Sequence, residues 1–175
     1  MLLKFVRHGE TNLNSPIKRM QGQSDNDINE NGIKQEEETR EKLRDESFDL
    51  IITSPLKRAR HTAEIINETR KLPIIIDERI IERNYGDLEG KEFKYEYCNL
   101  DFDFESVNGE SLEKYKARLI SFIQDIKSKY QDKKLLIVAH NGVISVLSCI
   151  LEGNPESNNF EERGVKNGEI KEFNV

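Results

Sequence analysis

The sequence predicts an α/β protein, a three-layer α/β/α sandwich built on a largely parallel central sheet. Two observations carry this. Five short segments rich in Ile, Leu, Val and Phe alternate with longer segments of helical periodicity. Clusters of Arg, His, Ser and Gly stand just past three of the five, where parallel strands of such folds present ligands at their carboxyl ends. The strand candidates are Leu2 to Val6, Phe48 to Thr53, Ile74 to Ile76, Leu135 to Ala139 and Glu169 to Phe173. Gly32 to Glu46 reads as a charged surface helix with few apolar anchors, Ile33 and Leu43 among them. Pro55 to Arg70 follows Ser54, which gives a serine N-cap and a proline at the first helical position, where a missing N–H costs nothing. In Ser111 to Tyr130 the residues Leu112, Tyr115, Leu119, Phe122, Ile123 and Ile126 recur at three-and-four spacing and predict an amphipathic helix. Asn141 to Leu151 is apolar nearly all round and belongs in the interior, whereas Ser15 to Asn31 and Asn154 to Asn167 read as polar loops.

A chain of 175 residues suits one domain over residues 1–175. Hydrophobic residues (35%) barely outnumber charged ones (34%), yet the periodic apolar segments separate the chain from disordered sequences of similar polarity. A net charge of −6 makes nucleic acid and anionic membranes poor partners, so any anion site must be a local concentration of basic groups. Cys98 and Cys149 are far apart, lack metal-ligand spacing and predict neither a disulfide framework nor a metal site. The first apolar run is too short for a secretion signal. Val143 to Leu151, interrupted by two serines, falls short of the roughly 20 apolar residues that a membrane span needs. The expectation is a cytoplasmic protein without a membrane partner.

Arg7-His8-Gly9 ends the first strand, so a guanidinium and an imidazole stand where glycine lets the backbone turn towards a ligand. Strict pleating sends Arg7 and His8 to opposite faces; both reach one pocket only if the chain leaves the strand there. A lone histidine at a strand end is commonly structural, but a neutral imidazole beside cations is also a competent nucleophile for phosphorus. Arg58, in the first turn of its helix, adds a second planar fork for phosphate oxygens. His140, followed by Asn141 and Gly142, stands at another strand-to-helix junction, where ring and backbone N–H groups can face one anion. An acid to protonate a leaving group is needed as well, and Asp77, Glu78, Glu82, Asp87 and Glu89 all lie in one stretch. His61, three positions beyond Arg58, reads as a solvated or supporting residue, and the three histidines have no companions at zinc-ligand spacing, so no metal is expected.

Taken together, Arg7-His8-Gly9-Glu10-Thr11, Ser54-Pro55-Leu56-Lys57-Arg58-Ala59, Glu82 ahead of Gly86-Asp87-Leu88-Glu89-Gly90, and Val138-Ala139-His140-Asn141-Gly142 resemble the histidine phosphatase superfamily, also called phosphoglycerate mutase-like. The resemblance implies a metal-independent, cofactor-free phosphomonoesterase that forms a phosphohistidine on His8. Arg7, Arg58 and His140 would clamp the phosphoryl group. The Gly-x-x-Glu-Gly turn selects Glu82 as the acid. Asn14 would hydrogen-bond the phosphate, with Thr11, Gln21, Gly22 and Asn141 lining the approach. The implied partner is a small phosphate monoester bound by a monomer or homodimer, and α-ribazole phosphatase-like or phosphoserine phosphatase-like activity falls within the class. The segment Lys91 to Asn108 is shorter than the insertions of cofactor-dependent mutases, which favours hydrolysis over a mutase; the remaining alternative is a phospho-ligand binding module without catalysis. Because Tyr95, Tyr97, Phe102 and Phe104 interleave with Glu96, Asp101, Asp103 and Glu105, this segment is expected to form a lid that prefers a neutral or cationic leaving group with an apolar part.

Overall fold

A computed structural model describes residues 1–175. Five strands, β1 (Leu2–Arg7), β2 (Leu50–Thr53), β3 (Ile74–Ile76), β4 (Leu135–Ala139) and β5 (Ile170–Asn174), form one sheet in the order β3-β2-β4-β1-β5. β1, β2, β3 and β4 run parallel, while β5 closes the β1 edge antiparallel. The predicted α/β class and the largely parallel sheet are both present.

Side-chain alternation along these strands produces two cores. Leu3, Phe5, Leu50, Ile52, Leu135, Ile137 and Ala139 face α3 (Leu112–Lys129) and α4 (Asn141–Glu152) in the larger one. Val6, Ile51, Leu136 and Val138 face the other way, onto Ala59, Ala63 and Ile66 of α2 (Lys57–Asn67) and onto Leu43, which ends α1 (Glu30–Lys42). The sandwich therefore has helices on both faces.

Two helices depart from expectation. α1 starts earlier because the Asn29 side chain accepts a hydrogen bond from the Gly32 N–H and caps it. Its buried face is Gly32, Glu36 and Thr39 rather than Ile33, which is only half-buried. α2 begins at Lys57 without a side-chain cap: Ser54 is not its N-cap and Pro55 not its first residue. The Ser54 hydroxyl is instead 2.6 Å from His140 Nε2, so a residue expected to start a helix joins two strand ends.

Candidate active site

Beyond the carboxyl ends of β1, β2 and β4 lies a narrow cavity of about 60 Å³, walled by Arg7, His8, Asn14, Gln21, Arg58, Glu82 and Asn141 on its inner side. The β1 chain leaves the strand as the pleat requires: β1 ends at Arg7, His8 N–H still donates to the Ala139 carbonyl (3.0 Å), and Gly9 N–H turns to the Thr62 hydroxyl (3.1 Å). Glycine is needed at position 9 for space rather than for an unusual turn. A Cβ there would come within 2.7 Å of the Gly32 carbonyl oxygen, because the loop lies directly on α1.

His8 Nδ1 is 2.8 Å from the Gly9 carbonyl oxygen. A carbonyl only accepts, so Nδ1 carries the proton and Nε2 keeps its lone pair. Burial first, and then the Arg58 and Arg7 guanidinium charges, hold this ring well below the usual histidine range. At neutral pH its imidazole is uncharged. The His140 ring lies 5.2 Å from that of His8, centroid to centroid, with its Nδ1 unpartnered. Burial, with Arg58 and His8 adding, likewise keeps His140 neutral.

Each guanidinium is aimed by backbone carbonyls. Arg58 donates to Ser24 O and Gly22 O (both 2.7 Å), and Arg7 donates to Val165 O (2.6 Å). Burial lowers Arg58 to about 10, which leaves it a cation at neutral pH. The loop carrying the two carbonyls is held by Glu89, whose carboxylate accepts from Gln23 N–H, the Ser24 hydroxyl and Tyr85 N–H. Two amides are aimed in the same manner. Asn14 Oδ1 accepts from Thr11 N–H, and Gln21 Oε1 accepts from the Thr11 hydroxyl and Asn26 Nδ2. Both therefore turn N–H₂ groups towards the cavity, as suits an anion.

The acids of the Asp77–Glu89 stretch now separate. Asp77 is tied to Arg79, Asp87 to Asn108 and Glu89 to the loop above; Glu82 alone among them lines the cavity. Its Oε1 accepts from the Tyr115 hydroxyl (2.8 Å) and Arg83 N–H (2.9 Å), and Oε2 accepts from Gly142 N–H (3.1 Å).

Several expectations need correction. Thr11 and Gly22 do not line the cavity; Thr11 is buried behind Asn14 and Gln21, and Gly22 contributes only the carbonyl that orients Arg58. Asn141 is in the wall, but its amide is committed to Glu161 Oε2 (2.9 Å) and Val165 N–H (2.9 Å). His140 is fully buried and stands behind the lining. His61 needs no correction: in keeping with its reading as a solvated or supporting residue, it pairs with Asp27 (3.0 Å) at the surface, away from the cavity. The Lys91–Asn108 segment lends the cavity only Phe93 and Cys98; Glu96, Asp101, Asp103 and Glu105 face solvent, and Tyr97, Leu100 and Phe104 pack inward. The expected acidic lid wall is absent from this cavity. Its outer wall is instead Lys18, Arg19, Met20, Tyr85, Phe93, Phe160 and Glu161. Lys18 Nζ pairs with Glu161 (2.6 Å) over the Phe93 ring (3.6 Å to its centroid), and the pair borders a wider outer cavity of about 420 Å³. Neither charge carried a motif in the sequence, since both sit in polar loops without periodicity.

A buried neutral histidine with a free Nε2, two carbonyl-aimed guanidiniums, two amide donors and one carboxyl make a site for phosphoryl transfer. The comparisons agree. Residues 3–175 match the model of the histidine phosphatase superfamily (branch 1), and the chain belongs to that family. The uncharacterized phosphatase PhoE of Bacillus subtilis (strain 168) is 44% identical over 153 residues, covering 87% of this chain and 78% of that protein. Phosphoserine phosphatase 1 of Hydrogenobacter thermophilus is 32% identical over 161 residues, covering 86% and 76%. The crystal structure of the α-ribazole phosphatase from Shigella flexneri superposes with a TM-score of 0.83 at 30% identity, over 100% of this chain and 91% of that one. The protein is a phosphoric monoester hydrolase.

Proposed function

We propose that the chain hydrolyses small phosphate monoesters in two steps through a phosphohistidine on His8, without a metal. The observation that carries this reading is the fixed tautomer of His8, whose free Nε2 faces a cavity ringed by Arg7, Arg58, Asn14 and Gln21. In the first step Nε2 bonds to phosphorus as the ester P–O bond breaks, and Glu82 gives a proton to the departing oxygen. In the second, Glu82 takes a proton from water as its oxygen bonds to phosphorus and the N–P bond breaks, releasing inorganic phosphate. Arg7, Arg58 and the amides neutralise the charge that a divalent cation neutralises in other phosphoryl-transfer sites.

The leaving group meets a short wall of mixed character: apolar at Met20, Tyr85, Phe93 and Phe160, ionic at Lys18 and Glu161. This supports small substrates, phosphorylated amino acids or ribosides such as those named for the relatives among them, rather than large esters. No helix is long and apolar enough to cross a membrane.

The test is hydrolysis of p-nitrophenyl phosphate with EDTA present, comparing the intact protein with His8→Ala. Turnover is expected to survive chelation and to fall by at least about 10⁴-fold in the variant, and loss of turnover in EDTA or full activity of His8→Ala would refute the reading.

A further inference from the structure

The lone pairs of Glu82 are unequally occupied. A carboxylate oxygen offers two in-plane acceptor positions. On Oε1 both are filled, by the Tyr115 hydroxyl at 2.8 Å and by Arg83 N–H at 2.9 Å. On Oε2 only Gly142 N–H is present, at 3.1 Å. We infer that Tyr115 is a positioning residue which, with Arg83 N–H, confines the transferable proton to Glu82 Oε2. This rests on the reading of Glu82 as the acid and goes beyond it by assigning the reacting oxygen and the group that selects it.

The surroundings make the selection rigid. Tyr115 is fully buried on α3, and the Arg118 guanidinium lies 4.4 Å from its ring centroid. Arg118, one turn further along α3, is doubly bonded to Glu110 (2.8 and 2.9 Å) and donates to the carbonyls of Arg79, Ile81 and Glu82. One helix face thus holds both the backbone that carries Glu82 and one of its oxygens. On the opposite side α4 presses close: a Cβ on Gly142 would lie 2.3 Å from Oε1. Burial pushes the Tyr115 phenol well above its ordinary range, with the Glu82 charge adding, so the hydroxyl remains a donor throughout the reaction. When Oε2 releases its proton to the ester oxygen, the negative charge forms on a carboxylate already hydrogen-bonded at both oxygens. When water arrives, the proton returns to the one open position.

The role predicts a dependence on leaving group that mere structural support does not. An alkyl phosphate needs the proton for its alkoxide to depart, whereas p-nitrophenolate departs without it. Single-turnover rates would be measured for both esters in the intact protein, Tyr115→Phe, Glu82→Gln and the double variant. Tyr115→Phe removes one oxygen and keeps the ring against the Arg118 guanidinium. The alkyl-to-aryl rate ratio is expected to fall about tenfold in Tyr115→Phe, further in Glu82→Gln, and no further when the two are combined. A ratio unchanged in Tyr115→Phe, whether both rates fall together or neither falls, overturns the positioning role. So does a further fall in the double variant. A ratio unchanged in Glu82→Gln overturns instead the assignment of Glu82 as the acid.

Discussion

The inner and outer walls of the cavity are built on opposite plans. Much of the inner wall stands on strand ends and helix starts, through Arg7, His8, Arg58 and Asn141, and its two guanidiniums are held by backbone carbonyls; Arg58 is fully buried with two such bonds. The outer wall stands on loops and a short helical turn; its ion pair, Lys18 and Glu161, is partly exposed and held together at 2.6 Å, while Arg19 donates to the Gly90 carbonyl (2.9 Å). Under the proposed mechanism the groups that hold the transition state are rooted at strand ends and buried carbonyls, while the groups that meet the leaving group sit on loops, touching the inner wall where Glu161 accepts from Asn141.

This contrast is broken most severely at Arg58. Arg58→Ala leaves two backbone carbonyls unpaired and removes a positive charge from the transition state, so kcat for any phosphomonoester should fall by roughly 10²–10³-fold. Steady-state kinetics on chemically unlike esters check it, and a loss confined to one ester would place Arg58 in the outer wall. Glu161→Gln sharpens the contrast from the other side. With the Lys18 charge released, esters with an anionic leaving group should gain about tenfold in kcat/KM over those with a cationic one. Equal changes for both would show that the pair has no part in selection.

The smallest effect concerns the layer behind the clamp. Glu36 is fully buried on α1 with neither carboxylate oxygen hydrogen-bonded, and burial raises it to about 8. Between its unfolded value near 4.5 and the folded value, the unfolded chain has released a proton that the folded one retains. Stability therefore falls as pH rises through that window. Glu36→Gln should flatten the slope and add about 1–3 kcal/mol at pH 8 while changing little at pH 5. Chemical denaturation at the two pH values measures this, and a parallel pH slope in both proteins would exclude Glu36 as its source.

How much of this was legible in the sequence follows the same division. The strands and the residues at their ends could be read because short runs rich in Ile, Leu, Val and Phe stop at residues whose chemistry is unusual at a strand end, such as Arg7 and His8. Helix starts were less legible: Ser54 suits an N-cap, but its bond to His140 is a tertiary contact that no local signal carries. Tyr115 was read as a core residue from its spacing, and its ring is core; only the fold brings its hydroxyl to Glu82. Lys18 and Glu161 lie 143 residues apart, and nothing in either neighbourhood announces the other. Glu82 was chosen among five acids by resemblance, whereas the structure isolates it by binding Asp77, Asp87 and Glu89 elsewhere and leaving Glu78 at the surface.

The carbonyl-aimed guanidiniums also bear on how such a catalyst behaves once it has worked. Arg7 and Arg58 are held at the cavity by the protein's own carbonyls, so the proposed clamp is indifferent to what the phosphoryl group was attached to. Inorganic phosphate, the second product, meets the same contacts as the substrate did. We expect competitive inhibition by phosphate, read as a rise in KM at constant kcat; its absence would mean that the outer wall supplies most of the grip. The protein would thus slow its own turnover as phosphate accumulates, answering to the phosphate status of its surroundings with no regulatory site at all.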